Sequence, residues 1–190
     1  MNASIVERVL FVGFILVAVG LRVGEMFRKR GSERGVTSMQ WSFYALVASA
    51  AVVYAGSVLE FFFTPRAYHM AVGVAGMVLY GVSVLLRRAA IRALGRYWSL
   101  HIEIRSQQPL VREGPYQYVR HPAYAAFLLE IIGVPLAGNA WWSLVVALGV
   151  YLPLLCWRIR REEEALVEKF GEAYQKFQRE VGMLVPRVGR

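Results

Sequence analysis

The chain has 190 residues, 57% of them hydrophobic, and a formal net charge of +9. A soluble globular chain carries about 45–50% apolar residues. Here the mean hydropathy of +0.42 comes from long apolar blocks, which points to one domain, residues 1–190, set in a membrane. The basic residues stand at the edges of those blocks, as loops facing an anionic cytoplasmic leaflet do, so no nucleic-acid partner is expected. The single cysteine, Cys156, excludes an internal disulfide and a cysteine-built cage, and no metal site is expected.

A bilayer core about 30 Å thick needs about 20 apolar helical residues. Blocks that meet or approach this run from Ile5 to Val23, Trp41 to Phe63, Tyr68 to Leu86, Pro122 to Ala137 and Trp141 to Trp157. The first is followed by Arg28-Lys29-Arg30 without a small-residue cleavage site, so it reads as a retained helix and not a signal peptide. Only Gly138-Asn139-Ala140 separates the fourth and fifth blocks, which makes them antiparallel neighbours in a tight hairpin. The expectation is an all-α, polytopic protein of five transmembrane helices.

Arg28, Lys29, Arg30 and Arg34 follow the first span, Arg87, Arg88, Arg92 and Arg96 the third, and Arg158, Arg160 and Arg161 the fifth. Positive-inside reasoning places the N-terminus outside and the C-terminus in the cytoplasm of a cell inner membrane. Beyond Arg158, Leu166, Phe170, Tyr174 and Phe177 recur at helical spacing. They predict a cytoplasmic amphipathic helix, on the membrane surface or against the other cytoplasmic segment, interrupted at Gly171 and ended by Val185-Pro186.

Arg22 and Glu60 stand near span ends, from which both can snorkel to an interface. Glu130 is deeper, either a buried partner for an arginine or a contact for substrate. Gly73, Gly76 and Gly81 read as sites of close helix packing; no strand precedes them to make a phosphate loop.

The stretch from Gln107 to Tyr124 is a polar loop, a Gly114-Pro115 turn, an aromatic pair and a helix start at Pro122. Arg120 and His121 therefore lie at a helix N-terminus on the membrane face, where backbone N–H groups favour an anion. They read either as interfacial anchors or as site residues. Arg158 and Glu162 share one helix face beyond span five. The tight hairpin brings that face towards Arg120, His121 and Tyr124, a convergence of both charge signs suited to a zwitterionic ligand and a membrane-borne co-substrate.

Four motifs recur in order: Leu94-Gly95-x-x-Trp98-Ser99; Leu110-Val111-x-x-Gly114-x-Tyr116; Arg120-His121-Pro122-x-Tyr124; and Arg158-x-x-x-Glu162-Glu163-x-x-Leu166-x-x-x-Phe170-Gly171-x-x-Tyr174. From Leu94 to Val185 the chain resembles the isoprenylcysteine carboxyl methyltransferase family, which is itself similar to membrane phospholipid methyltransferases. The resemblance implies a five-helix enzyme that takes S-adenosylmethionine, releases S-adenosylhomocysteine, and holds the cofactor within residues 94–185.

Carried over, it implies that Gln108, Pro109, Leu110 and Val111 line the adenosine. Gly114, Tyr116, His121, Pro122 and Tyr124 would hold the methionine and ribose portions, and Glu162 would bind the cofactor. His101 falls where the family often has Gln. Arg158 would orient the methyl acceptor, with Arg120 its companion in catalysis and Glu130 a further substrate contact. The implied partners are membrane lipids and a lipophilic or lipid-modified acceptor. A carboxylate acceptor needs no general base, whereas a phenol, thiol or amine would enlarge the role of His121. Two other readings stay open: an NADPH-dependent sterol-reductase-like enzyme, which ends in a similar Arg-His-Pro-x-Tyr pattern, and a non-catalytic lipid-binding protein. Oligomeric state is not written in the sequence.

Overall fold

A computed structural model describes residues 4–26, 36–38, 40–65, 67–98, 102–104 and 109–187. The chain is helical: α1 (Ile5–Met26), α2 (Gln40–Phe63), α3 (Met70–Leu94), α4 (Pro122–Ala137), α5 (Trp141–Val146), α6 (Leu152–Phe170) and α7 (Glu172–Glu180). The fold is all-helical, as expected; beside the helices, β1 (Val36–Ser38) and β2 (Ile102–Ile104) form a short antiparallel pair. The basic cluster from Arg28 to Arg34 lies outside the described residues.

Among the described residues, three helices are long and apolar enough to cross a membrane: Trp41–Phe63, Met70–Tyr97 and the continuous run Trp141–Phe170. The apolar α4 is shorter, at 16 residues. Two boundaries differ from the sequence expectation. The helix begun at Met70 runs on to Leu94 instead of stopping at Leu86. The helix of the last block does not break at Trp157 but continues as α6 to Phe170, because its charged second half stays helical. Between α5 and α6, Ala147–Tyr151 widens into a π turn. Pro153 stands two residues beyond it; its ring crowds the carbonyl four residues back and offers that carbonyl no N–H, and the wider turn relieves both.

α3 and α4 cross at two glycines. A Cβ on Gly76 would lie 2.3 Å from the Ala137 nitrogen, and one on Gly133 2.8 Å from the Gly76 carbonyl, so only bare backbone fits. Gly81, also expected to serve packing, has nothing near it. The hairpin after α4 is pinned by Asn139, which is buried at a left-handed φ of 52° that asparagine tolerates. Its Oδ1 accepts from the His69 backbone at 3.0 Å, tying the hairpin to the start of α3.

The Glu60 carboxylate crosses to the start of α5 and accepts from the Ser143 nitrogen at 2.5 Å and the Trp142 nitrogen at 3.1 Å, satisfying N–H groups a helix start leaves open. Arg22 Nε donates to Glu130 Oε1 at 2.6 Å. Tyr54 of α2 donates to the same oxygen at 2.8 Å, while Arg87 of α3 pairs with Oε2 and reaches Glu25 of α1 at 3.0 Å. Four helices are thus clamped on one buried carboxylate, over whose neighbour Phe127 the guanidiniums of Arg22 and Arg87 both lie.

The packed centre joins α2, α4 and α6 through Leu46, Val53, Ile131, Tyr151, Leu155 and Ile159. Beyond it, Gly171 (φ 55°) breaks the last helix into α6 and α7, as expected, and α7 ends at Glu180, ahead of Val185-Pro186. The apolar face of this tail turns inward: Tyr174, Phe177 and Val181 pack with Leu110, Leu166 and Phe170. Arg112 ties the segment before α4 to α7, donating to Glu180 at 3.1 Å and to the Ala173 carbonyl at 3.1 Å.

Candidate active site

Pro122 opens α4 at a position where a missing N–H costs nothing. One turn of helix then places His121 and Tyr124 on a common side. On α6, Arg158 and Glu162 are four apart and share a face, with Glu163 one residue round. The hairpin sets the two helices antiparallel, and these side chains meet.

The meeting has two halves. In the first, the Tyr124 hydroxyl donates to Glu162 Oε2 at 2.6 Å and receives Arg158 Nε at 2.9 Å. Arg158, 2% exposed, extends its Nη1 to Ser42 Oγ at 2.6 Å, so the first turn of α2 joins the site. In the second half, Glu163 accepts from Arg120 Nε at 2.7 Å and Gln178 Nε2 at 3.1 Å and faces His121 Nε2 at 3.0 Å. His121 Nδ1 is turned to Glu162 Oε1 at 3.9 Å. The imidazole thus stands between two carboxylates.

These carboxylates differ in access: the Glu162 side chain is 28% exposed and Glu163 13%. Glu162 is the more accessible of the two. Tyr174 closes the inner half, its hydroxyl 3.4 Å from Glu163. Burial, reinforced by the Glu163 and Glu162 charges, raises the Tyr174 phenol above its ordinary pKa, so it stays a donor. Burial also raises the Tyr116 phenol, with Glu162 adding to the effect.

The residues singled out in the sequence divide accordingly. Arg158, Glu162, Tyr124 and His121 come together. Arg120 does not approach Arg158: besides Glu163 it donates to the carbonyls of Gln178, at 3.0 Å, and Val181, holding down the C-terminal segment. Glu130 stands apart, both oxygens engaged in the helix clamp. Tyr116 and Val111 pack with Ala90 and Ala123 between α3 and α4, Leu110 lies against α7, and Pro109 is exposed. Pro122 is fully buried, and Gly114 takes a left-handed φ of 58° that opens the turn Gly114–Gln117. His101 and Gln108 lie outside the described residues.

Sequence reasoning left Ser42 and Glu163 without a role. Glu163 was legible in principle, one residue from Glu162 and so aimed at the helix start. No local signal marks Ser42.

Helices of this length and apolarity, wrapped around a buried charged site, define an integral membrane protein. Residues 74–168 match the profile of the Isoprenylcysteine carboxyl methyltransferase (ICMT) family. Protein-S-isoprenylcysteine O-methyltransferase B of Arabidopsis thaliana is 32% identical over 70% of this chain and 71% of its own length. Methanethiol S-methyltransferase of Pseudomonas sp. (strain GM41(2012)) is 37% identical over 38% of this chain and 26% of its own. The chain belongs to the isoprenylcysteine carboxyl methyltransferase family. The solved eukaryotic intramembrane Ras methyltransferase ICMT shares its fold, with a TM-score of 0.60 at 24% identity over 80% of this chain and 54% of that one. Against these proteins the chain spans from about a quarter to 71% of their length.

Proposed function

We propose that this chain is an S-adenosylmethionine-dependent methyltransferase acting on a lipophilic acceptor that presents a carboxylate, such as a prenylcysteine-type group. The observation that carries the reading is the buried Arg158, fixed by the hydroxyls of Tyr124 and Ser42 beside the more open carboxylate Glu162. The relatives named for isoprenylcysteine O-methylation and methanethiol S-methylation support methyl transfer in general. Residues 94–185 form the cofactor-binding half of a single domain.

The residues present fit the cofactor. Glu162 keeps Oε1 off the Tyr124 hydroxyl and can take an ammonium or ribose hydroxyl group. Leu110, Val111 and Tyr116 offer apolar surface for a purine, with Pro109 exposed beside them. When bound, S-adenosylmethionine supplies a methyl group already activated on its sulfonium and leaves as S-adenosylhomocysteine. What the protein must add is alignment and exclusion of water.

Arg158 supplies the alignment. Its planar fork matches a carboxylate, and its two hydroxyl partners fix the plane of that fork. His121 favours the carboxylate over a thiol, phenol or amine: both ring nitrogens face carboxylates, so neither is aimed at an acceptor proton. A carboxylate, ionised at neutral pH, needs no such base.

In the membrane, α1, α2, α3, α4 and the α5–α6 run make five spans, with α7 and the loop at Leu110 forming a cytoplasmic roof. The N-terminus then lies outside the inner membrane and the site inside, as the arginines towards the end of α3 and along α6 favour. The test is labelled methyl transfer from S-adenosylmethionine into a membrane extract. A base-labile methyl ester in a lipophilic product is expected; label only in a base-stable thioether, ether or amine would refute the carboxylate assignment.

A further inference from the structure

One face of α3 changes character along its length. Val74, Val78, Val82 and Leu85 are exposed, Leu85 at 68%. Arg92 lies two helical turns beyond Leu85 and Arg88 between them, so the same face turns from apolar to basic. Arg88 and Arg92 are exposed, and among the described residues neither has a hydrogen-bond or ion-pair partner. The adjacent Arg87 is the contrast: it turns inward, 1% exposed, and is consumed by Glu25 and Glu130. Arg96, in the turn that follows, stacks on Tyr97 and bonds its hydroxyl, adding positive charge beside the pair.

We propose that this face of α3 binds an anionic phospholipid, its acyl chain along Val74–Leu85 and its phosphate at Arg88 and Arg92. The dimensions agree. Val74 to Leu85 covers eleven steps of 1.5 Å, ~16 Å, which is about half of a ~30 Å hydrocarbon core and so one leaflet. The charge is selective as well. Met70–Leu94 contains no Asp or Glu, so nothing on this helix would pair with the cation of a zwitterionic headgroup. An acidic protein segment would satisfy the arginines but leave the apolar stretch to bulk lipid; one anionic lipid covers both. The inference rests on the chain's place in a membrane and is independent of the methyl-transfer reading.

Native mass spectrometry of the full chain, released from detergent with phosphatidylglycerol and phosphatidylcholine of identical acyl chains, tests it. A basic residue near a membrane surface is worth about fivefold in binding, so phosphatidylglycerol should be retained roughly 25-fold over phosphatidylcholine. The R88Q/R92Q variant should lose that preference, R92K should keep it, and R160Q, which alters an exposed arginine on α6, should keep it. Equal retention of the two lipids by the unaltered chain would overturn the proposal even if the double variant failed to fold. So would a preference that survives in a folded R88Q/R92Q protein, or one lost equally in R160Q.

Discussion

The Tyr124 hydroxyl donates to Glu162 at 2.6 Å while receiving Arg158 at 2.9 Å, so one phenol links the residue assigned to the cofactor with the residue assigned to the acceptor. Replacing Tyr124 by Phe removes that link without changing the shape of the core. Leaving a buried donor and acceptor unsatisfied costs about 1–3 kcal/mol. If most of that cost falls on the transition state, kcat/KM for methyl transfer drops by about 10–100-fold. Steady-state kinetics with labelled cofactor measure it; an unchanged kcat/KM would remove Tyr124 from the mechanism.

In the proposed reading, Ser42 acts on the acceptor through Arg158, accepting a hydrogen bond from its Nη1. Ser42→Ala frees one end of the guanidinium, so the KM for a prenylcysteine carboxylate probe should rise by about tenfold. S-adenosylhomocysteine affinity should not change. Ser42→Thr retains the hydroxyl and should recover most of the loss. A Thr variant as impaired as the Ala variant would show that packing, and not the hydrogen bond, is what position 42 provides.

Glu130 has both its oxygens engaged in the helix clamp. Glu130→Gln removes the buried carboxylate from Arg87, leaving it Glu25, and takes from Arg22 its closer partner; breaking a buried pair costs up to about 3–5 kcal/mol. Thermal unfolding in detergent should show a marked loss of stability. A variant as stable as the parent, with a raised acceptor KM, would instead make Glu130 a substrate contact.

The glycine crossing of α3 and α4 gives a paired comparison. Gly76→Ala forces a Cβ into the backbone of α4 and should destabilise by about 1–3 kcal/mol or more. Gly81→Ala, on the same helix with nothing nearby, should be neutral or slightly stabilising. Equal effects of the two substitutions on thermal unfolding would argue against the crossing.

Much of this was readable from hydropathy and spacing. The positions of the long helices, the hairpin at Asn139, and the meeting of Tyr124 with Arg158 and Glu162 follow from apolar run length, a three-residue turn and helical periodicity. The rest depends on where long side chains reach. Arg22, Arg87 and Glu130 lie on separate helices, and hydropathy carries no record of which charges pair. Arg120 precedes Pro122 and so lies off the helix, and it turns to Glu163 and the C-terminal carbonyls while Tyr124, four residues on, faces Arg158. Ser42 belongs to no motif and enters only because α2 packs beside α6. The π turn follows from Pro153, whose helix-breaking character was legible, though not its accommodation within a continuous helix.

The central claim is that Glu162 and its neighbours hold S-adenosylmethionine, and the most direct measurement is calorimetric titration of the purified full chain. S-adenosylhomocysteine should bind with about 1:1 stoichiometry, NADPH should not bind, and Glu162→Gln should weaken S-adenosylhomocysteine by roughly tenfold or more, the loss of a charge-assisted hydrogen bond. Binding of NADPH in its place, or S-adenosylhomocysteine affinity untouched by Glu162→Gln, would contradict the account.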